Sequence, residues 1–408
     1  MTRNKTSIQP APGRNSIWRD LKKAIRGTEE DFTAIDLRRA IFLLAVPMIM
    51  ESTCAVVDIY FVGKLGPSAV ATVGLTETYL YLLYSLGIGL SMAVTAIIAR
   101  RIGEKKIEVA AISAVQSIWL AVIFAIPFAI GGIFFSKELL ALMGADQWAI
   151  DEGYKYTQWM LGGNVVIMLL FVINAIFRGA GDAAIAMRIL IVANTINIIL
   201  DPILIFGWGP IPAMGIEGAA IATTIGRGIG VLLQIWTLAK GGKHIRILGE
   251  FVRWNVNAMV HILKTSLGGI GQMIFAMTSW IFLMRVLADV GSEAVAGATI
   301  TLRVIMFTMM PAHGMANAAT TLVGQNLGAG RPDRAESSVW RVGMYNMGFL
   351  LLVSLIFFLF NEQLVGLFTE DPEVIAIGGE WMWIMSLSYF VYGWWMGSVS
   401  AFKGAGDT

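Results

Sequence analysis

Four acidic residues in the first half of the sequence lie inside long apolar stretches: Glu51, Asp58, Glu77 and Asp201. An ionised carboxylate surrounded by hydrocarbon costs at least ~2.5–3.5 kcal/mol, so such a side chain is expected to face a protein interior or water. Glu51 and Asp58 are two helical turns apart and therefore share one face of a helix. Clustered carboxylates of this kind bind either protons or a hard cation such as Na⁺. We therefore predict that these four residues couple the protein to one of these ions.

The neighbours of Asp201 strengthen this interpretation. Asn197 precedes Asp201 by one helical turn and shares its face, while Pro202 lacks a backbone N–H and frees a carbonyl group nearby. Carboxylate, amide and carbonyl oxygens are ligands that suit Na⁺. Structural alternatives stay open at this point, because a buried aspartate can simply hydrogen-bond across helices. Asp201 beside Pro202 can also be a local bend, Glu51 can pair with a neighbouring charge, and Glu77 can lie near the end of its helix.

The second half of the sequence offers a different set of side chains. Arg303 lies within an apolar stretch, where it would repel or order a cationic substrate or form a structural pair. Met306, Met310 and the amide of Gln272 are candidates for a substrate cavity, since methionine adapts to varied hydrophobic ligands, although ordinary packing explains the methionines equally well. The three histidines have no metal-ligand spacing, and no Walker A, nucleophile or HExxH motif occurs. The sequence therefore predicts no enzyme and no cofactor other than a coupling ion.

The composition indicates which elements must position these residues. Of the 408 residues, 56% are hydrophobic and only 14% are charged, whereas soluble domains contain about 25% charged residues. A single cysteine excludes an intramolecular disulfide framework, and a net charge of +2 gives no reason to expect a nucleic-acid partner. What remains is an all-α protein that crosses a lipid bilayer many times.

Ten stretches are long and apolar enough to cross a bilayer as helices. Lysine and arginine occur 23 times in the N-terminal segment and in alternate loops, against four times in the intervening loops. This asymmetry predicts that the N-terminus is cytoplasmic. The predicted spans lie near residues 41–62, 69–99, 108–135, 155–177, 186–207, 215–239, 262–288, 294–323, 340–360 and 378–401.

The sequence also repeats itself at an offset of 225 residues. FRGAGD at 177–182 recurs as FKGAGD at 402–407. Two further pairs match at the same offset, Gly66 with Gly291 and Gly103 with Gly328. An even number of helices separates the two units, which predicts two pseudo-symmetric lobes related by an axis along the membrane normal. We expect six helices per lobe with the last two missing from this chain; a genuine ten-helix protein is the alternative.

These patterns predict four segments. Residues 1–40 form a cytoplasmic N-terminal segment, and 41–240 form the first lobe with helices one to six. Residues 241–261 form a cytoplasmic linker, and 262–408 form the incomplete second lobe with helices seven to ten.

Several ordered motifs resemble those of multidrug and toxic compound extrusion (MATE) transporters. They are LAVP at 44–47 with VDIYFVGKLG at 57–66, FRGAGD at 177–182, NIILDP at 197–202, GIEGAAIAT at 215–223 and VGQNLGAG at 323–330. The resemblance implies a V-shaped monomer of two lobes in the inner (plasma) membrane of a prokaryote. It also implies alternating-access export of hydrophobic or cationic organic solutes, driven by inward movement of H⁺ or Na⁺.

The resemblance is closer to the branch similar to DinF, in which coupling is attributed to the first lobe. Asp58, Asp201, Asn197 and Asn174 match the polar residues of that branch, and the first three form the Na⁺ site that the resemblance implies. The NorM-like branch has acidic residues in its seventh and tenth helices, where this sequence offers Gln272 and no interior carboxylate. Two alternatives remain open: a flippase for lipid-linked oligosaccharide or polysaccharide in the same superfamily, and, from a different class, a channel or membrane enzyme.

Overall fold

The computed structural model describes residues 14–53, 67–241, 244–245, 247 and 253–407, and nearly all of these residues are helical. A single π-helical turn at Ala149–Gly153 leads into the fifth of the described α-helices. The helices are α1 (Arg14–Arg26), α2 (Leu37–Thr53), α3 (Pro67–Gly103), α4 (Ile107–Leu142), α5 (Tyr154–Gly162), α6 (Asn164–Ala180), α7 (Ala183–Phe206), α8 (Gly215–Lys240), α9 (Val256–Val290), α10 (Ser292–Gly328), α11 (Pro332–Gly366) and α12 (Pro372–Ala405). The prediction of an all-α fold is confirmed.

Within the described residues, nine helical stretches are long and apolar enough to cross a membrane. They correspond to the second to tenth predicted spans, and the π turn, α5 and α6 together form one of them, Ala149–Ala180. The first predicted span coincides with α2 as far as Thr53, and its remainder lies outside the described residues.

Local sequence signals set the ends of several helices. The carboxylate of Asp371 accepts hydrogen bonds from the backbone N–H groups of Glu373 and Val374 and so caps α12. The amide oxygen of Asn255 accepts from Ala258 N in the same way at the start of α9. At their C-termini, α6 and α12 end at Gly181 and Gly406, which adopt left-handed φ values of 91° and 86°.

The 225-residue repeat is visible in the backbone. Gly181 and Gly406 are equivalent at this offset, and each is followed by an aspartate whose N–H returns to the phenylalanine carbonyl that opens the motif. Phe135 in α4 and Phe360 in α11 are also equivalent, and both interrupt their helices with φ near −129° and −128°. A shared kink that has no sequence motif of its own shows that the two lobes repeat one fold.

The two lobes meet at the end of the helices whose loops are rich in lysine and arginine, which we call the basic end. A Cβ atom at Gly103 of α3 would lie 2.0 Å from the carbonyl oxygen of Gln325, and one at Gly328 of α10 would lie 2.1 Å from that of Arg100. The two contacts are equivalent under the repeat, because 325 and 328 correspond to 100 and 103. Only glycine permits this approach of two helix backbones.

Away from the basic end the lobes separate. Gly89 of α3 lies against Ile270 of α9, and Gly314 of α10 lies against Ile49 of α2. Beyond this level the side chain of Tyr81 on α3 is exposed. Ile274, one turn after Ile270 on the same face of α9, and Met306, the repeat equivalent of Tyr81, are exposed as well. The cleft between the lobes therefore opens toward the end opposite the basic end.

The segment between α1 and α2 fastens both lobes together at the basic end. Asp31 forms an ion pair with Lys105 of the first lobe, and Arg331 of the second lobe donates to the carbonyl oxygen of Thr33. Arg334 donates to the carbonyl oxygens of Phe32 and Ile35 in the same segment. The Phe32 ring is 2% exposed and packs against Gly181. Residues 27–36, the strap, are therefore part of the lobe contact.

Candidate functional site

Asp201 and Asn197 lie inside the first lobe, where α7 packs against α8. The Asn197 amide donates from Nδ2 to Asp201 Oδ1 and to Thr223 Oγ1, each over 3.2 Å. Asp201 is 3% exposed, and Pro202 follows it within α7. The predicted shared face of Asn197 and Asp201 is therefore present in the structure. Thr223, a residue of the GIEGAAIAT motif, adds a hydroxyl that the analysis of single residues did not select.

Asn174, predicted from its match to a fourth-helix asparagine, forms a second buried polar pair. Its Oδ1 accepts a hydrogen bond of 2.7 Å from Nε2 of Gln234, which joins α6 to α8. Both side chains are buried. Gln234 was missed by the sequence analysis, although a glutamine within the apolar stretch 215–239 is itself a signal. The first lobe thus holds two amide-containing groups that contact one face of α8, about three helical turns apart.

Glu51 is held by an opposite charge. Arg178, in the FRGAGD motif, donates from Nη1 to Glu51 Oε1 over 2.7 Å, and both side chains are largely buried. The Arg178 carbonyl oxygen in turn accepts from the Thr321 hydroxyl of the second lobe. The pair joins α2, α6 and α10 close to the basic end. This arrangement matches the structural alternative for Glu51, while its predicted part in coupling stays a prediction.

Glu77 and Asp58 are the other two of the four acidic residues predicted to couple transport to an ion. Glu77 lies on α3, and Arg227 of α8 is near enough for its charge to act on the Glu77 carboxylate. Asp58 lies outside the described residues, so its predicted role stays a prediction. Among the residues that are described, no group of three or more His, Cys, Asp or Glu side chains could hold a metal ion. The Na⁺ site predicted at Asp58, Asp201 and Asn197 therefore stays a prediction too.

The residues predicted for a substrate cavity lie on α9 and α10. Arg303 and Met306 are exposed, and Met310 and Gln272 are half-buried. Arg303, Met306 and Met310 are separated by three and four residues, so they share one face of α10. The structure therefore brings three of the four candidates onto one surface of the second lobe.

Charges at the basic end stabilise the ionised form of the acids there. Burial raises the pKa of Asp31, but hydrogen bonds from Lys105 and Thr33 outweigh it and lower the pKa to about 2. Burial acts on Glu104 in the same direction, and hydrogen bonds from Arg101 and Lys106 again lower its pKa below the ordinary value. The basic end is thus a network of charge-assisted contacts between loops and strap.

Two repeated lobes of membrane-spanning helices, a cleft between them that is closed at one end, and buried carboxylate and amide groups in one lobe define a class of protein. They are the features of an alternating-access membrane transporter built from a parallel repeat.

The family follows from comparison with known proteins: residues 44–203 and 269–408 match the MatE family model, and the chain belongs to this family. It is similar to a probable multidrug resistance protein NorM from Thermotoga maritima, at 27% identity over 91% of this chain and 81% of the relative. It is also similar to an FAD transporter from Shewanella oneidensis, at 27% identity over 80% of this chain and 71% of the relative. The predicted resemblance to MATE transporters is confirmed; its assignment to the DinF-like branch stays a prediction.

Solved structures give the same result. The chain is similar to an outward-facing multidrug resistance MATE family transporter of the MOP superfamily, with a TM-score of 0.82, 26% identity, and coverage of 94% of this chain and 84% of that one. It is also similar to a MATE structure in the bent conformation, with a TM-score of 0.83, 26% identity, and coverage of 94% and 85%. The family is one of transporters, and these likenesses do not favour the flippase alternative.

Proposed function

We propose that the protein exports hydrophobic organic solutes across the plasma membrane of a prokaryote, by alternating access and in exchange for H⁺ or Na⁺. The observation that carries this proposal is the combination of a cleft closed at the basic end with the buried Asp201–Asn197 pair in one of its walls. Similarity to relatives described as multidrug resistance proteins supports the choice of organic solutes. Because the loops at the basic end carry the excess of lysine and arginine, we expect this end to face the cytoplasm.

The geometry suggests how an ion changes the first lobe. Asn197 uses one amide nitrogen to hold both Asp201 on its own helix and Thr223 on α8. A proton or Na⁺ on the Asp201 carboxylate competes with the N–H for the same oxygen, so ion binding loosens the Asn197–Asp201 hydrogen bond and lets the Asn197 amide reorient against Thr223 of α8. Pro202 lies next to the carboxylate and interrupts the backbone hydrogen bonds of α7. We propose that ion binding repacks α7 against α8 and thereby changes the wall of the cleft.

The test is transport in proteoliposomes under a pH gradient and a Na⁺ gradient, each applied alone. Asp201→Asn and, separately, Asp58→Asn are expected to reduce gradient-driven flux of a hydrophobic dye by roughly tenfold or more. Glu108→Gln is the matched control, because Glu108 is an exposed carboxylate in the first turn of α4. Full gradient-driven flux in both aspartate variants would show that coupling occurs elsewhere. If flux through the unmodified protein depended on neither gradient, an antiport mechanism would be excluded.

A further inference from the structure

A stripe of polar and sulfur-containing side chains runs along one face of α10. Arg303, Met306, Met310, His313 and Asn317 follow one another at intervals of three and four residues, the spacing of a single helix face. Met310 is half-buried, and the other four are exposed although they belong to a membrane-spanning helix. A different face of α10 carries buried apolar residues: Ala298, Ile305, Ala312, Ala316 and Ala319.

The direction of the stripe is set by residues further along the same face. Gly328 lies 18 residues, or five helical turns, after Met310 and approaches the Arg100 backbone of α3. Gly324 is on this face too and approaches Ala99. The face that touches the first lobe at the basic end is thus the one that carries the stripe. Beyond Gly314, where the lobes separate, Arg303, Met306 and Met310 of this face line the cleft.

The charge on this surface is positive. Lys403 of α12 is near enough to His313 for its charge to act on the imidazole. Among the described residues, no carboxylate forms an ion pair with Arg303 or with Lys403. A cation in a membrane-spanning region without a carboxylate partner is costly, so it is retained where it meets an anion.

The repeat provides an internal comparison for this charge. At an offset of 225 residues, Arg303 corresponds to Thr78 of α3. The remaining residues of the stripe correspond to Tyr81, Ser85, Ile88 and Met92. The equivalent face of the first lobe is therefore neutral. Lys403 corresponds to Arg178, but the carboxylate that binds Arg178, Glu51, corresponds to Ala276.

Glu51, Glu77 and Asp201, the acids of this set that the structure describes, do not neutralise the stripe. Glu51 is bound by Arg178, and Glu77 faces the charge of Arg227. Asp201 is 3% exposed and lies inside its own lobe. The described charges that reach the cleft surface on α10 are therefore cationic.

We propose that the α10 stripe and Lys403 form a binding site for an amphipathic organic anion, a molecule with an aromatic body and one acidic group. The proposal rests on the proposed function and names the substrate class of that cleft. Met306 and Met310 contact the aromatic body, because methionine packs against irregular and aromatic surfaces. The acidic group binds Arg303 or Lys403, because each can donate a charge-assisted hydrogen bond to an anionic oxygen.

Two dyes with one ring skeleton and opposite charge test the proposal. Fluorescein methyl ester is an anion, and the corresponding rhodamine methyl ester is a cation of similar size. Binding of each dye to the purified full chain in detergent is followed by fluorescence anisotropy at low and high salt. We expect tighter binding of the anion, and a loss of roughly tenfold in its affinity with Arg303→Thr, which installs the residue of the other repeat. Rhodamine binding should be unchanged or tighter in this variant.

The controls separate charge from folding. Arg253→Thr removes an exposed arginine next to α9 and should leave the binding of both dyes unchanged. Arg303→Lys keeps the charge and should retain most of the anion affinity, and Lys403→Met tests the second cation. Thermal unfolding of each variant shows whether it is folded, and if Arg303→Thr is not, Arg303→Gln replaces it.

The outcomes also separate this site from the proposed function. The proposed site would be wrong if the two dyes bound equally well, or if neither Arg303→Thr nor Lys403→Met changed the affinity for the anion. Either result would not contradict the proposed export function. Anion binding that depends on Arg303, together with no flux of either dye under any gradient, would support the site and overturn export.

Discussion

Closure of the basic end depends on two backbone contacts that only glycine allows, so the addition of one methyl group should open it. In Gly328→Ala, the new Cβ would lie 2.1 Å from the Arg100 carbonyl oxygen. Carbon–oxygen contacts are normally about 3.3 Å or longer, so α3 and α10 must separate by about 1 Å. Overpacking of this kind costs about 1–3 kcal/mol. If the cost falls only on the closed state, the ratio of closed to open molecules falls roughly 5- to 150-fold.

Spin labels at Glu108 and Asp333 measure this change. Both are exposed in the first turns of α4 and α11, and they are equivalent under the repeat, so their separation reports on the two lobes. Cys54 is replaced by serine so that the spin labels attach only at positions 108 and 333. In Gly328→Ala, pulsed electron paramagnetic resonance should then show a larger fraction of molecules with a long distance between the two labels. Gly348→Ala is the matched control, because its Cβ would meet open space on α11. An unchanged distance distribution in Gly328→Ala would refute the argument that this contact closes the basic end.

Three further predictions concern stability in detergent. Lys105 has φ of 61°, and its repeat equivalent is Gly330 at 70°, so Lys105→Gly should be more stable than Lys105→Ala by about 1 kcal/mol in chemical unfolding. Glu51→Gln should destabilise by about 3 kcal/mol or more, because it leaves Arg178 buried without its carboxylate, and Arg178→Gln in the same chain should restore part of the loss. Because the folded-state pKa of Asp31 is about 2, below its ordinary 3.8, its contribution is present above pH ~4 and lost as the pH falls toward 2. Since the Asp31 side chain is 40% exposed, this contribution is about 1 kcal/mol, measured as the difference from Asp31→Asn at each pH.

Each of these predictions has a result that contradicts it. Equal stability of the glycine and alanine variants at Lys105 would mean that the left-handed conformation stores no strain. Additive losses in the double variant would show that Glu51 and Arg178 are not coupled. For Asp31, a difference from Asp31→Asn that is the same at pH 7 and pH 3 would exclude the ion pair with Lys105 as its source.

The positions of the helices could be predicted because one physical requirement controls them. A membrane-spanning helix needs about 20 apolar residues, and the predicted stretches 186–207 and 215–239 coincide with α7 and α8 to within a few residues. The shared face of Asn197 and Asp201 was predictable for the same reason, since helical spacing is local. Helix spacing does not fix the rotation of one helix against another. The contacts of Asn174 with Gln234 and of Glu51 with Arg178 join distant helices, so they could not be derived from the sequence.

The strap is a clearer case of what sequence patterns leave out. Residues 1–40 were predicted only as a cytoplasmic segment, because they are polar and carry mixed charges. In the structure, Arg331 and Arg334 bind backbone carbonyl groups of the strap. Every residue has a carbonyl oxygen, so the residues that accept these hydrogen bonds show no characteristic sequence pattern. The ion pair of Asp31 with Lys105 does involve side chains of complementary type, but 74 residues separate them.

The repeat preserves several backbone contacts and changes polar and charged side chains, which agrees with the separate tasks proposed for the two lobes. Glycines recur at some of the close helix contacts: Gly179 lies against the Thr95 carbonyl, and Gly404 lies against the equivalent Thr320 carbonyl. The buried Asn174 of the first lobe, in contrast, corresponds to Val399. A symmetric hinge needs equal contacts on both sides of its axis, whereas exchange of an ion for a solute needs two unlike sites. The ion site and the solute site can therefore diverge in sequence as long as the glycine contacts that close the cleft stay the same.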